Sequence, residues 1–130
     1  MNEIAKDTFI CSNDIEGISL YIHLPFCQSL CTYCGCNTRI TINHNVELPY
    51  IMTVLNEWSL YLDLFEVTPR IKEIHLGGGT PTFFKAENLK KLMDGILSTS
   101  ILSSEAELSF EAHPNNTSIE HLQILYDLGF

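Results

Sequence analysis

The segment Ile18–Cys36 reads ISLYIHLPFCQSLCTYCGC. Its first seven residues are β-branched, apolar or aromatic at most positions, and Pro25, which has no N–H to give a ladder, ends them as a strand. Four of the chain's five cysteines follow between Cys27 and Cys36. Outward from this segment, strand, loop and helix recur. Ile51, Val54, Leu55, Trp58, Tyr61, Leu62 and Phe65 keep helical spacing and predict a helix over about 48–65, with Pro49 in its first turn. Tyr50, Trp58, Tyr61 and Phe65 read as part of its core stripe. Ile71–Leu76 reads as a second strand, stopped by Gly77, Gly78 and Gly79. Leu89, Leu92, Met93, Ile96 and Leu97 mark a helix over 86–97. Glu107–Ala112 reads as a third strand, ended by Pro114. Thr117 and Glu120 have capping-box spacing ahead of Ile119, Leu122, Leu125 and Tyr126, with Gly129 as a stop. The class is α/β, built of parallel (βα) repeats.

Strands buried on both faces are usually apolar throughout, yet these alternate. Leu20, Ile22 and Leu24, Ile74 and Leu76, and Leu108 and Phe110 fall on one face, where helices can cover them. Tyr21, His23, His75, Ser109 and Glu111 fall on the other. A polar inner face predicts a ligand-filled barrel or trough, with a solvent-exposed face of an open sheet as the alternative. Three βα units do not close a barrel, and Phe130 stands where a further strand is expected. The chain therefore reads as an extension over 1–17 and, over 18–130, the first part of a longer barrel domain. On that reading, residues 1–130 alone are expected to be inactive and to self-associate through open sheet edges.

With 7 Lys+Arg against 16 Asp+Glu the formal charge is −9, which argues against a phosphate-driven nucleic-acid binder. The 45% apolar share and 18% charge describe a globular chain. Glu57, Asp63 and Glu66 interrupt the most apolar helix, so no membrane span is read, and the polar N-terminus has no signal-peptide core. The expectation is a cytoplasmic protein. Four thiols in so short a loop point to metal or redox chemistry rather than a disulfide framework. Cys11 reads as an incidental thiol.

Each strand is followed by an unusual segment, and active sites of parallel α/β sheets gather at that edge. In Cys27-x3-Cys31-x2-Cys34, three thiols on one short loop can cup a ligand from one side. This suits a cubane iron–sulfur cluster with one iron left open. Zinc sites usually draw ligands from two separated pairs, but with Cys36 as a fourth ligand, zinc or a four-thiolate cluster is the alternative. Glycines at 77–79 let backbone approach a ligand closely; a tight strand-to-helix turn is the plainer reading. Glu111 lies on the polar face, placed to accept hydrogen bonds from a ligand, with a solvated strand-end carboxylate as the alternative. His23 shares the face of Tyr21, close to the cysteine loop, and is a candidate for a proton or substrate role. His75 reads as an interior hydrogen-bonding residue, and His44 and His121 as surface residues.

The cysteine spacing, with Tyr33 before the last thiol, resembles the radical S-adenosylmethionine (SAM) superfamily. Gly77-Gly78-Gly79-Thr80-Pro81 resembles that superfamily's motif for the SAM amino group. Tyr21 to Cys27 and Gly35-Cys36-Asn37 are closer to oxygen-independent coproporphyrinogen III oxidase, over residues 19–130. The resemblance implies an incomplete TIM-like radical SAM barrel, of which this chain forms the first half. It implies a [4Fe-4S] cluster on Cys27, Cys31 and Cys34, with SAM on the open iron. It also implies Tyr21, Gly78 and Glu111 around one SAM, Tyr33, Gly79 and Thr80 around a second, and Cys36 beside the site without binding iron. The implied reaction is oxidative decarboxylation of the propionates of coproporphyrinogen III to vinyl groups, giving protoporphyrinogen IX, with an external electron donor. His113 departs from the acidic residue usual in the family's Glu-x-x-Pro segment. A related haem chaperone and a zinc-binding module are the alternatives.

Overall fold

The computed structural model describes residues 16–130; Cys11 and most of the N-terminal extension lie outside the described residues. Strands β1 (Ile18–Leu24), β4 (Arg70–Gly78) and β5 (Ile101–Phe110) form a parallel sheet in the order β1-β4-β5, and the short strands β2 (Phe26–Cys27) and β3 (Arg39–Ile40) pair beside it. Helices α1 (Glu47–Leu64), α2 (Ala86–Leu97) and α3 (Ile119–Asp127) complete the chain. The sheet is not closed.

The period-of-two reading holds. Ile22, Leu24, Ile71, Ile74 and Leu76 bury one sheet face against Ile51 and Trp58 of α1, Leu89, Leu92, Met93 and Ile96 of α2, and Leu125 of α3. Removing each such side chain from water contributes about 1.5–3 kcal/mol before the entropic cost of ordering it. Tyr21, His23, His75 and Ser109 occupy the other face, which none of the helices among the described residues covers. Within the α1 stripe, Trp58 is buried and donates Nε1–H to Thr99 Oγ1 at 2.9 Å, whereas Tyr61 is exposed and stacks on Phe65.

Strand boundaries differ from the sequence pattern in two places. β4 runs through Gly77 and Gly78, which pair with His23 and Leu24, instead of stopping at them. β5 begins at Ile101, six residues before the expected start, and ends at Phe110, two before the expected end. Between the pairs Ile71↔Leu102 and Glu73↔Glu107, β4 advances two residues and β5 five. The polar excursion 103–106 interrupts the alternation, so the pattern reveals only the ladder that resumes at Glu107.

The helix starts also depend on long-range partners. The cap of α3 is Ser118, not Thr117, because Thr117 Oγ1 instead donates to the His113 carbonyl at 2.8 Å. His121 completes the capping box in place of Glu120: its Nδ1 accepts the Ser118 N–H, which leaves Nε2–H to donate to the Phe84 carbonyl at 2.7 Å. His121 is therefore a buried linchpin and not a surface residue. His44 is half-buried, stacked on Phe83 at 4.5 Å and paired with Glu47. Glu47 is fully buried in the first turn of α1, yet it serves α2, whose N-cap residue makes no side-chain cap. Its Oε2 accepts the Lys85 N–H at 2.9 Å and the Asn88 side-chain amide. Negative charge is favourable there, at a helix N-terminus rich in unpaired N–H groups.

Glu47→Ala removes the acceptor that three donors share. It is expected to destabilise the fold by about 3 kcal/mol, read from the urea midpoint at unchanged slope.

Candidate active site at the sheet's carboxyl edge

The cysteine loop is closed at its base by backbone. Arg39 N–H donates to the Pro25 carbonyl at 2.7 Å and Thr41 N–H to that of Cys27 at 2.9 Å. A second clamp comes from the glycine segment after β4. Gly79 N–H donates to the Leu24 carbonyl at 2.8 Å and Thr80 N–H to that of Phe26 at 3.0 Å. The Thr80 hydroxyl and the Cys27 thiol meet at 3.3 Å, both buried. This approach requires glycine at 79, where an added Cβ would lie 2.7 Å from the Pro25 carbonyl. Gly78 has φ +114°, a conformation that L side chains rarely adopt, and its missing Cβ leaves room for the His23 ring.

The result is one pocket of about 230 Å³. Cys27, Cys31, Cys34 and Cys36 from the loop face Gly78, Gly79 and Thr80 from the end of β4, and Glu111 and His113 from the segment after β5. Tyr33 also lines it and is 91% exposed. Cys34 N–H donates to the Cys31 carbonyl at 3.2 Å, turning the loop back on itself. All four thiols are free; Cys27 is buried, Cys34 half-buried, and Cys31 and Cys36 exposed. Among the described residues, no three Cys, His, Asp or Glu side chains converge as preformed metal ligands. The thiols share a wall, and cysteine thiolates are ligands of both zinc and iron–sulfur clusters.

Tyr21 and His23 do not line this pocket; they sit below it on the polar face. The Tyr21 hydroxyl and His23 Nδ1 are 3.1 Å apart, and His23 Nε2–H donates to the Asn37 carbonyl at 2.9 Å, fixing the ring beneath the cysteine loop. Glu111 Oε2 accepts the Gly78 N–H at 3.3 Å. Negative charge gathers here. The Cys36 thiol is raised above its ordinary range by the neighbouring Cys34, by desolvation, and by Glu111 and Cys27. Tyr21 is raised by partial burial and then by Glu111 and Cys36, so its hydroxyl keeps its proton at neutral pH. His75, expected as an interior hydrogen-bonding residue, does hydrogen-bond, to Ser109, but is half-exposed on this face; the alternation alone places the two on one side. A more open depression of about 620 Å³ lies at the opposite end of the strands, lined by mixed charges including Glu16, Arg70 and Lys72.

No protein-family model matches the chain. The oxygen-independent coproporphyrinogen III oxidase of Helicobacter pylori (strain J99) is 35% identical over 132 residues, covering 98% of this chain and 29% of that protein. The enzyme of the same name from Synechocystis sp. is 34% identical over 113 residues, covering 87% and 24%. Over most of its own length, then, the chain is similar to oxygen-independent coproporphyrinogen III oxidases. A solved structure, coproporphyrinogen III oxidase (HemN) from Escherichia coli, described as a radical SAM enzyme, superposes with a TM-score of 0.85 at 29% identity. It is covered over 30% of its length, and this chain over 100%. The chain thus spans about three tenths of the length of these oxidases and has the fold of the N-terminal portion of the HemN structure.

Gly79→Ala would push a methyl group into the Pro25 backbone and separate β4 from the loop base. A loss of about 1–3 kcal/mol in denaturant unfolding is expected, together with faster alkylation of Cys27 by iodoacetamide as its burial is relaxed.

Proposed function

We propose that the chain forms the cofactor-holding part of a radical SAM oxidoreductase that decarboxylates the propionates of coproporphyrinogen III. The observation that most supports this is the single pocket in which the thiols of Cys27, Cys31 and Cys34 face the glycine end of β4 and Glu111. Cysteine thiolates are the ligands that iron–sulfur clusters take. Three of them on one loop suit a [4Fe-4S] cluster with one iron free for SAM. The names of the homologues and the HemN superposition support the same reading.

When bound, the cluster and SAM supply the one-electron chemistry that takes hydrogen from an unactivated carbon. The residues of the chain bind and orient. The Gly78–Thr80 backbone offers close polar contact to an amino acid moiety. Glu111, with one oxygen already on Gly78 N–H, accepts from ribose hydroxyls, and Tyr21 shares that SAM. Tyr33, Gly79 and Thr80 serve a second SAM. His23, held between Tyr21 and Asn37, is suited to hold or pass a proton on the polar face. Cys36 lines the same pocket, beside the cofactors. The partners are the porphyrinogen and an external electron donor. The compartment is the cytoplasm, where exposed thiols stay reduced; no described helix is long and apolar enough to cross a membrane.

Anaerobic reconstitution of the full-length protein with iron and sulfide tests the assignment. A brown chromophore bleached by dithionite, with about four irons per chain, is expected. Cys27→Ser, Cys31→Ser and Cys34→Ser should each abolish it, whereas Cys36→Ser should retain iron and lose turnover of coproporphyrinogen III. Iron loss in Cys36→Ser equal to the others would contradict the three-thiolate site. A colourless protein with one zinc and no acid-labile sulfide would contradict the function itself.

Glu111→Gln keeps the side chain's size and removes its charge. SAM affinity measured by calorimetry is expected to fall by about tenfold, corresponding to one charge-assisted hydrogen bond. Iron content should stay unchanged.

A further inference from the structure

The face of the sheet below the pocket carries a second tier of contacts. His75, on β4 two residues before Gly77, lies between Tyr21 of β1 and Ser109 of β5, its partners in register on either side. Its ring stacks on Tyr21 with centroids 5.9 Å apart and planes at 16°. Its Nδ1 is 2.8 Å from Ser109 Oγ. Its Nε2 is 3.6 Å from Glu111 Oε1, beyond hydrogen-bond length but within electrostatic reach. The second carboxylate oxygen is held by Gly78 N–H.

These contacts suit the tautomer in which Nε2 carries the hydrogen and faces Glu111. Nδ1 is then the acceptor and the Ser109 hydroxyl the donor. A hydrogen bond between Ser109 and Nδ1 turns the Nε2 edge toward Glu111, and Tyr21 sets the plane of the ring. A carboxylate on the short segment after a strand end has several rotamers open to it. With Gly78 on one oxygen and His75 facing the other, one orientation is favoured.

We infer that His75, aligned by Ser109, is a positioning residue that presents the Glu111 carboxylate, and with it the Tyr21 ring, to the nucleoside part of SAM. The inference rests on the proposed function and adds a residue to its binding tier. The side chain touches neither the cysteine loop nor its thiols among these contacts, so its loss is expected to spare the cluster.

Two amide substitutions separate positioning from packing. His75→Gln carries an N–H donor out to the place of Nε2, whereas His75→Asn ends near the place of Nδ1 and cannot reach Glu111. The full-length reconstituted protein is titrated with SAM by calorimetry, with iron content measured on each sample. His75→Asn is expected to bind SAM about tenfold more weakly, and His75→Gln within about threefold of the parent. His75→Asn combined with Glu111→Gln should bind no more weakly than Glu111→Gln alone, because the first residue acts through the second. Ser109→Ala gives an independent arm and should weaken binding in the same direction. Equal losses for the asparagine and glutamine variants, or fully additive losses in the double variant, would overturn the positioning role. Absence of SAM binding by the unsubstituted protein with its iron in place would overturn the functional reading and this inference together.

Discussion

The site depends on a backbone junction two hydrogen bonds wide. Gly79 and Thr80 donate to the carbonyls of Leu24 and Phe26, tying the end of the central strand to the first residues of the cysteine loop. The Thr80 hydroxyl meets the first cysteine at the same point. A side chain at 79 would occupy the space in which that contact forms. Residues 27 and 80 are distant in sequence, and this junction makes them neighbours. The glycine motif and the cysteine motif consequently form one pocket instead of two separate turns.

The sheet contributes asymmetry. Its apolar face is anchored by α1, α2 and α3, which frees the opposite face to collect Tyr21, His23, His75 and Ser109 in adjacent register. Strand geometry spaces neighbouring backbones by about 4.8 Å, close enough for ring stacking and hydroxyl–imidazole contacts between strands. Each polar side chain named on that face has a partner on a neighbouring residue or strand. The helices are locked by polar contacts of their own: Glu47 caps α2 from α1, and His121 ties α3 to the Phe84 carbonyl. Such bonds place the strand ends relative to one another more narrowly than apolar packing alone, because they act at single atoms.

The sequence made the central features legible. Alternation in Ile18–Leu24 and Glu107–Phe110 separates the apolar and polar faces, and the crowding of four cysteines marks the loop for metal or redox chemistry. What it concealed are features set by residues far apart in the chain. The early start of β5 is hidden by the excursion 103–106, whose polar residues break the period of two. Ser118 becomes the cap of α3 only because Thr117 is drawn to the His113 carbonyl, and His121 is buried only because Phe84 offers a carbonyl. Glu47 reads as an ordinary first-turn acid of α1 until α2 is seen to lack its own cap. Strand spacing could place His75 beside Tyr21 and Ser109; its reach to Glu111 depends on the path of the chain after Phe110.

The proposed function stands on an iron–sulfur cluster held in the cysteine loop by three thiolates, with one iron open toward the glycine end of β4. Electron paramagnetic resonance of the dithionite-reduced, reconstituted protein, recorded with and without SAM, tests it most directly. A cluster signal whose g-values shift when SAM is added is expected, because a new ligand reaches the open iron. An identical signal in both samples would mean that all four irons are already ligated by protein, and would contradict it.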